Sequence, residues 1–242
     1  MSISGRRERF SSGPDGVRPK VAEDSRFQYH SGVTPSRLAE LLNPYIVGLA
    51  LPAGIYDQIS AYLDLLLRWN AKTNLTAIRD PEQMVTRHFG ESLFAAGVLF
   101  GEKPPNQGMT LADLGSGAGF PGVPIKLAFP GLNVTLIESQ NKKASFLKEV
   151  IRALGQDGIE VYNGRAEQWG KQADVVTLRA VERFEATLTI AATLVRPAGR
   201  LCLLIGTGSK TALETMPNLE VEVVHPIPPR DDSAVVVGRI RH

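Results

Sequence analysis

The residues whose types and spacing most suggest chemistry lie in the segment 113–122. It reads Asp-Leu-Gly-Ser-Gly-Ala-Gly-Phe-Pro-Gly and directly follows a short apolar run at 109–114. Glycine has no Cβ, so a ligand can approach the backbone closely at such a turn. Open α/β sheets bind their ligands outside the carboxyl ends of their strands, where a turn of this kind stands. The pattern therefore predicts a ligand site on the turn.

Two cofactor classes can use such a turn. Gly117, Gly119 and Gly122 fit the dinucleotide pattern G-x-G-x-x-G, which is a weak signal on its own. Asp113 would repel a pyrophosphate but attract the cationic amino group of a methionine. Pro121 has no N–H to offer a phosphate. These features favour S-adenosylmethionine over NAD, with Asp113 near the methionine ammonium; the alternative role for Asp113 is a carboxylate that caps the turn.

Glu138 stands at the end of the next apolar run, which is predicted to be the second strand. A carboxylate there can accept hydrogen bonds from both ribose hydroxyls of an adenosine. The same role would suit NAD, so Glu138 indicates a nucleoside without choosing the cofactor. The alternative is an ordinary surface acid.

Short apolar runs and helical patterns alternate through the rest of the chain. Strands are predicted at 109–114, 134–137, 159–162, 173–178, 200–205, 219–224 and 234–240, and helices at 122–129, 142–154, 184–194 and, weakly, 210–216. Such alternation predicts a parallel sheet with right-handed crossovers. The last two strands are joined by about nine residues, too few for a crossover helix, so they must pair antiparallel. We therefore expect an α/β fold of the class I Rossmann-like methyltransferase type over 109–242, with a mostly parallel seven-stranded sheet and a terminal antiparallel hairpin.

The first hundred residues have a different pattern. Three helices are predicted at 35–50, 52–70 and 81–100, with Thr34 and Asp80 as caps before prolines. They predict an N-terminal helical extension over 34–100. Residues 1–33 are rich in Ser, Gly, Pro and charge, which predicts a disordered tail, either idle or in contact with RNA.

Composition limits the classes of function. The 242 residues are 43% hydrophobic, enough for a sizeable core, and their net charge of +2 neither requires nor excludes a nucleic-acid partner. The single cysteine, Cys202, excludes an intramolecular disulfide and a cysteine-based metal site, and we expect no metal. No apolar stretch is long enough to span a bilayer, and no apolar segment follows the first arginines, so we expect a cytoplasmic protein.

Several stretches resemble the bacterial ribosomal RNA small-subunit methyltransferase G family, also called GidB-like. The likeness covers roughly residues 35–240 and is most specific in the order of its elements. They are Trp69-Asn70 with Asn74-Leu75-Thr76 and Arg79-Asp80-Pro81, Arg87-His88 with Glu91-Ser92-Leu93, the turn at 113–124, the run from Ala173-Asp174-Val175-Val176 to Arg179-Ala180, and the stretch 230–239.

The resemblance implies methylation of N7 of a guanine in 16S ribosomal RNA, with the RNA or the small ribosomal subunit as partner, and we expect the enzyme to be a monomer. It implies that Gly115 and Phe120 contact the cofactor, that Ala166 and Glu167 hold the adenine, and that Arg179 closes the site near the methyl group. Guanine N7 is a lone-pair nucleophile that loses no proton on methylation. We therefore expect no general base, and catalysis is chiefly a matter of positioning.

Basic residues near these motifs are candidates for RNA contacts. His88 either shapes the substrate mouth or is a hydrogen-bonded structural residue. Arg165, together with Lys142, Lys143 and Arg196, can meet phosphates, although each can equally be a solvated surface charge.

The chain departs from the family pattern at three places. Glu91 stands where the family usually has aspartate, Ile205 where it usually has lysine, and Val181-Glu182-Arg183 where an aromatic and small residues often follow. Three alternatives stay open. They are a methyltransferase acting on another RNA or a small molecule, a dinucleotide-dependent oxidoreductase, which the hairpin and Asp113 disfavour, and a non-catalytic RNA-binding module, which would not need the constellation at 113–122.

Overall fold

A computed structural model describes residues 31–101, 103–179, 184–206, 218–229 and 232–241. Within these residues one seven-stranded sheet has the order β3-β2-β1-β4-β5-β7-β6. Its strands are β1 (Thr110–Leu114), β2 (Asn133–Glu138), β3 (Ile159–Asn163), β4 (Ala173–Arg179), β5 (Val195–Gly206), β6 (Leu219–Pro226) and β7 (Ser233–Ile240). Strands β1 to β5 pair in parallel, and β7 pairs antiparallel with both β5 and β6. The predicted fold class and terminal hairpin are confirmed.

The helices flank this sheet and precede it. They are α1 (Pro35–Leu42), α2 (Ile55–Thr73), α3 (Pro81–Met84), α4 (Glu91–Phe100), α5 (Gly122–Ala128), α6 (Asn141–Leu154) and α7 (Phe184–Leu194), with 3₁₀ turns at Asn43–Tyr45 and Ala166–Gln168. A π-helical segment, Val85–Gly90, joins α3 to α4. The weak helix predicted at 210–216 lies outside the described residues, as does the predicted tail up to residue 30.

The first predicted helix proved shorter than expected. It ends at Leu42 instead of continuing to about residue 50, because Pro44 has no N–H with which to continue the α-helical hydrogen bonds, and the chain goes on as a 3₁₀ turn. Both predicted caps are present: the Thr34 hydroxyl accepts a hydrogen bond from Arg37 N at 3.2 Å, and Asp80 Oδ1 accepts one from Gln83 N at 2.8 Å. These caps satisfy amides that the first helical turn leaves free.

Two apolar clusters cover the two faces of the sheet. In β1 the alternation of side chains sends Leu111 to one face and Ala112 and Leu114 to the other. The first cluster includes residues of α2, α4, α5 and α6, so the N-terminal helices pack into the main core. The second lies under α7. None of the described helices is both long and apolar enough to cross a membrane.

Candidate active site

The glycine-rich turn joins β1 to α5 at the carboxyl edge of the sheet. Gly115, Gly117 and Gly119 have φ values of 62°, 58° and 89°, in the left-handed region that favours glycine. Gly115 is exposed and Gly117 half-buried, whereas residues 118–122 are buried. A Cβ at Gly117 would meet nothing closer than Gly115 O at 3.7 Å. The first half of the turn therefore presents open backbone.

The backbone N–H groups of this turn are largely engaged inside the protein. Pro121 has none to offer. The others donate as follows: Ser116 to Ile137 O at 3.1 Å, Gly117 to Glu138 Oε2 at 3.0 Å, Gly119 and Phe120 to Ser116 O at 2.6 and 3.2 Å, and Gly122 to Asp113 Oδ2 at 3.2 Å. Phosphate sites at helix starts depend on free N–H groups. The geometry thus disfavours a pyrophosphate on this turn.

Asp113 lies beneath the turn and is completely buried. Its Oδ1 accepts the Thr177 hydroxyl at 2.7 Å, and its Oδ2 accepts the Gly122 amide at 3.2 Å. Burial raises the pKa of the carboxyl to about 6, although the hydrogen bonds from Thr177 and Gly122 oppose this rise. The structure gives Asp113 the turn-bonding role, and its attraction for a methionine ammonium stays a prediction.

Glu138 stands beside the exposed half of the turn, and its side chain is nearly buried. Its Oε2 accepts the Gly117 amide at 3.0 Å and its Oε1 accepts the Gln140 amide at 2.7 Å. An ionised carboxylate has about four acceptor positions, so roughly two remain. That capacity matches the two ribose hydroxyls predicted for this residue.

Phe120 belongs to an aromatic stack that braces the turn against the N-terminal helices. Its ring lies parallel to Tyr62 at 5.3 Å and close to parallel with His88 at 4.8 Å, while Phe89 packs on it edge-on at 5.1 Å. Tyr62 also donates a hydrogen bond to the carbonyl oxygen of Ala118. Since Phe120 as a whole residue is only 7% exposed, any ligand contact would use the small part of it that this stack leaves free.

His88 lies in the π-helical segment, a helix type that often occurs at functional sites. Its Nε2 is 2.8 Å from the Thr76 hydroxyl, and Thr76 N donates to Asn70 Oδ1 at 2.9 Å. Burial, with the positive charges of Arg179 and Arg87, lowers the pKa of His88 to about 3. The imidazole is therefore neutral near pH 7, and Asn70, Thr76 and His88 form one connected group.

Arg179 is the last residue of β4, and it joins this strand to the π-helical segment that contains His88. Its Nη2 lies 2.9 Å from Glu91 Oε2 and donates to Arg87 O at 2.5 Å, and its Nη1 donates to His88 O at 3.5 Å. Glu91 Oε1 also pairs with Arg87 Nε at 3.0 Å. Burial lowers the pKa of Arg179, while Glu91 opposes this shift. Arg179 thus acts as a clamp, and its predicted place beside the methyl group stays a prediction.

Arg165, Ala166 and Glu167 follow β3 in the 3₁₀ turn region, where Arg165 and Glu167 are exposed. Arg165 Nε is 4.0 Å from Glu167 Oε2. The start of this loop is tied to Glu138, because Asn163 Nδ2 and Gly164 N both donate to Glu138 O at 3.1 Å. The predicted adenine residues therefore follow a loop that is fastened beside the predicted ribose carboxylate.

Two further residues considered in the sequence analysis, one basic and one apolar, lie away from the turn and the π-helical segment. Arg196, at the start of β5, pairs with Asp174 and is not brought to this site. Ile205, where the family usually has lysine, is 4% exposed and packs in the cluster under α7. Among the described residues, no group of three His, Cys, Asp or Glu side chains is placed to hold a metal ion.

Sequence reasoning missed two residues that shape the site, Tyr62 and Thr177. Thr177 had a readable signal, since it is a polar residue within the apolar strand run 173–178. Tyr62 looked like one more member of the apolar stripe of α2. Its contact with Ala118 O joins positions 56 residues apart, and no local pattern reports that.

Comparison with known proteins agrees with this geometry. The family model described as rRNA small subunit methyltransferase G, GidB, matches residues 55–223. The chain is 40% identical over 174 residues to the ribosomal RNA small subunit methyltransferase G of Stenotrophomonas maltophilia strain K279a, covering 71% of this chain and 79% of that protein. It is 37% identical over 192 residues to the protein of that name from Streptococcus gordonii, covering 77% and 79%.

The solved structure of magnesium protoporphyrin IX methyltransferase from Synechocystis PCC 6803 with bound SAM resembles this chain in fold. The TM-score is 0.57 at 15% identity, covering 75% of this chain and 97% of that one. The matched family range runs from the start of α2 into β6, so it includes both the N-terminal contacts and the glycine-rich turn.

Proposed function

Because this chain belongs to the ribosomal RNA small subunit methyltransferase G family, we propose that it transfers a methyl group to N7 of a guanine in 16S ribosomal RNA. The family assignment makes it an S-adenosylmethionine-dependent rRNA methyltransferase. The position of the methyl group and the identity of the RNA are the parts proposed here.

The first observation that supports the proposal is the pattern of hydrogen bonds on the turn, which bears on the cofactor that the reaction requires. Five of its amides are engaged within the protein, which disfavours a dinucleotide, while Gly115 and Gly117 leave open backbone at its exposed half. Glu138 keeps acceptor capacity for ribose hydroxyls, and Asp113 supplies negative charge below the turn. These residues fit S-adenosylmethionine, which supplies an electrophilic methyl group on a cationic sulfur when bound.

The acid–base character of the site supports N7 as the acceptor. An exocyclic amine must lose a proton on methylation, whereas the N7 lone pair attacks without losing one. His88 has a pKa lowered to about 3 and is thus a poor base. Asp113 is buried beneath the turn with both oxygens bonded, and Glu91 is held between two arginines. What remains for these side chains is to hold the reacting atoms in line and exclude water.

We propose further that the substrate is 16S rRNA, free or in the small ribosomal subunit, and that the enzyme works as a monomer in the cytoplasm, where ribosomes are assembled. The family name supports the rRNA substrate. The balanced overall charge of +2 means that RNA must be met by a local group of cations rather than by the whole surface.

The test is transfer of a labelled methyl group to naked 16S rRNA and to small subunits from a bacterial strain that lacks its own enzyme. Digestion to nucleosides should give labelled 7-methylguanosine. Label in another nucleoside would overturn the N7 assignment. No label in either substrate, from protein that binds S-adenosylmethionine by calorimetry, would point instead to another RNA or a small molecule.

A further inference from the structure

Six cations lie along the neighbouring surfaces of α2 and α6, which we call the α2–α6 surface. They are Arg68, Lys72, Lys142, Lys143, Lys148 and Arg152, all exposed except the half-buried Lys143. None of the six forms an ion pair with any residue that the structure describes. Arginines elsewhere do so, for example Arg37 with Glu82 and Arg239 with Glu222. Within the described part of the chain, the surface therefore carries six cations that have no carboxylate partner in an ion pair.

Helix stability does not explain this arrangement. Lys148 and Arg152 stand four residues apart on the exposed face of α6, where like charges cost a few tenths of a kcal/mol, about 0.2–0.5. Lys142 and Lys143 lie in the first turn of α6, which has no acidic residue and no side-chain cap. Cations are unfavourable at that positive end of a helix. Arg152 is favoured in the last turn of α6, so helix stability leaves the other three cations, Lys142, Lys143 and Lys148, unexplained.

A groove runs between the last turns of α2 and the middle of α6. It has a volume of about 370 Å³ and is lined by Arg68, Trp69, Lys72, Thr73 and Glu149. The Glu149 carboxylate accepts the Trp69 indole N–H at 2.9 Å, and the indole packs edge-on against Phe146 at 5.6 Å. Glu149 thus binds the indole and forms no ion pair with Arg68 or Lys72, and the groove is lined by two cations and one carboxylate.

The α2–α6 surface begins beside the cofactor residues. Helix α6 starts at Asn141, directly after Gln140, whose amide binds the Glu138 carboxylate. At a rise of about 1.5 Å per residue, Lys142 lies at the cofactor end of the helix and Arg152 roughly 16 Å from its start. A chain of phosphates leaving the active site can therefore follow these cations.

We propose that the α2–α6 surface binds the phosphate backbone of the rRNA that flanks the target base. This inference rests on the proposed function. Contacts of cations with phosphates release condensed counterions and position the RNA without reading its sequence. The α2–α6 surface supplies affinity, while the turn and the π-helical segment determine which base reacts.

The test compares the full-length double variant Lys148→Gln, Arg152→Gln with wild type on naked 16S rRNA. Lys171→Gln is the matched control, because Lys171 is also an exposed lysine but lines a groove at the opposite, amino edge of the sheet. Each protein is assayed for methyl transfer and for RNA binding at several salt concentrations. Binding of S-adenosylmethionine is measured by calorimetry.

The double variant should bind RNA on the order of tenfold more weakly near physiological salt, with a salt slope lower by roughly 1.4. KM for RNA should rise while kcat and cofactor affinity stay as in wild type, and Lys171→Gln should behave as wild type. If the wild-type protein transfers no methyl group to RNA, the proposed function itself is wrong, whatever the double variant does. If wild type transfers it and the double variant matches the control, the α2–α6 surface does not bind RNA. A loss seen with assembled subunits but not with naked rRNA would assign the surface to a ribosomal protein and overturn the proposal.

Discussion

Arg179 and Glu91 form a buried ion pair, with 2.9 Å between Nη2 and Oε2, that joins the end of β4 to the start of α4. Glu91 also pairs with Arg87, so one carboxylate lies between two guanidinium groups. This contact fixes the π-helical segment, and with it His88, against the carboxyl edge of the sheet. The aspartate usual in the family is one methylene shorter, so Glu91 gives this chain a longer bridge.

The substitution Glu91→Gln should lower the free energy of unfolding by about 3 kcal/mol or more, because it leaves two neighbouring arginines without the carboxylate that pairs with both. Urea denaturation measures this change. Arg179→Met should also destabilise, and the double variant should lose less than the sum of the two single losses. If the losses of unfolding free energy are strictly additive, Glu91 and Arg179 have no energetic coupling and the ion pair does not stabilise the protein.

Cofactor affinity should depend on pH through Asp113. The ionised carboxylate attracts the methionine ammonium, and its pKa of about 6 means that this charge is present above that value and lost as the pH falls through it. We expect S-adenosylmethionine to bind about tenfold more weakly at pH 5 than at pH 7 by calorimetry. Arg179, whose charge favours the ionised form, faces the carboxyl, and so do Tyr62 and Cys202, whose raised pKa values keep both neutral in this range.

Asp113→Asn is the control for this pH dependence, since it keeps the shape of the side chain and removes the titrating group. The variant should bind S-adenosylmethionine weakly at both pH values. Any decrease in its affinity between pH 7 and pH 5 is then due to the titration of other groups. A wild-type profile that is flat between pH 5 and pH 7 would contradict the proposed attraction. The melting temperature of the variant shows whether a weaker affinity arises from an altered fold instead.

Thr76 should stabilise the protein through His88. Thr76→Val keeps the volume but removes the hydroxyl 2.8 Å from Nε2, leaving a partly buried imidazole nitrogen without a partner. We expect a loss of about 1–3 kcal/mol in the free energy of unfolding. In the His88→Phe background, which retains a ring against Phe120, the same change should cost less, because only the Ile78 amide, which donates to this hydroxyl at 3.2 Å, then loses a partner. An equal loss in both backgrounds would mean that the hydroxyl acts elsewhere.

Two glycines of the turn should respond differently to alanine. Gly117→Ala bears roughly 1 kcal/mol of backbone strain at φ 58°, but its methyl meets open space on the exposed half of the turn, so it should weaken cofactor binding more than folding. Gly119→Ala would drive a methyl into the Tyr62 hydroxyl and to 2.9 Å from Val123 Cγ2, so it should chiefly lower thermal stability. Calorimetry and thermal melts of the two variants separate these effects, and equal losses of cofactor affinity would be the contrary result.

Much of the fold could be predicted from local sequence patterns. Alternation of strand and helix predicted the parallel sheet, and the short link between the last two predicted strands, about nine residues, required the antiparallel hairpin. The bounds of α6 at Asn141–Leu154 differ by one residue from those predicted. Strand β5 begins at Val195, five residues before its predicted start. A register shift opposite residues 173–175 breaks its pairing with β4, and the first part of β5 includes proline and glycine.

The site was harder to predict because its geometry depends on distant partners. Glu138 was identified by its place at the end of a strand, which is a local property. The clamp formed by Arg179 joins residues 88 positions apart, and the π-helical turn that receives it follows no period that the sequence displays. Asp113 shows both cases: its position marked it as important, but its burial and its bond to Thr177 required the folded chain.

The internal hydrogen bonds of the turn have a consequence for how ligand binding proceeds. Since Ser116, Gly117, Gly119, Phe120 and Gly122 donate within the protein, the loop is preorganised and has little conformational entropy left to lose when a ligand arrives. Its amide protons should exchange slowly in the free enzyme and change little on saturation. The turn would then be a rigid, preformed part of the binding site, and any closing motion during turnover would have to come from other parts of the molecule.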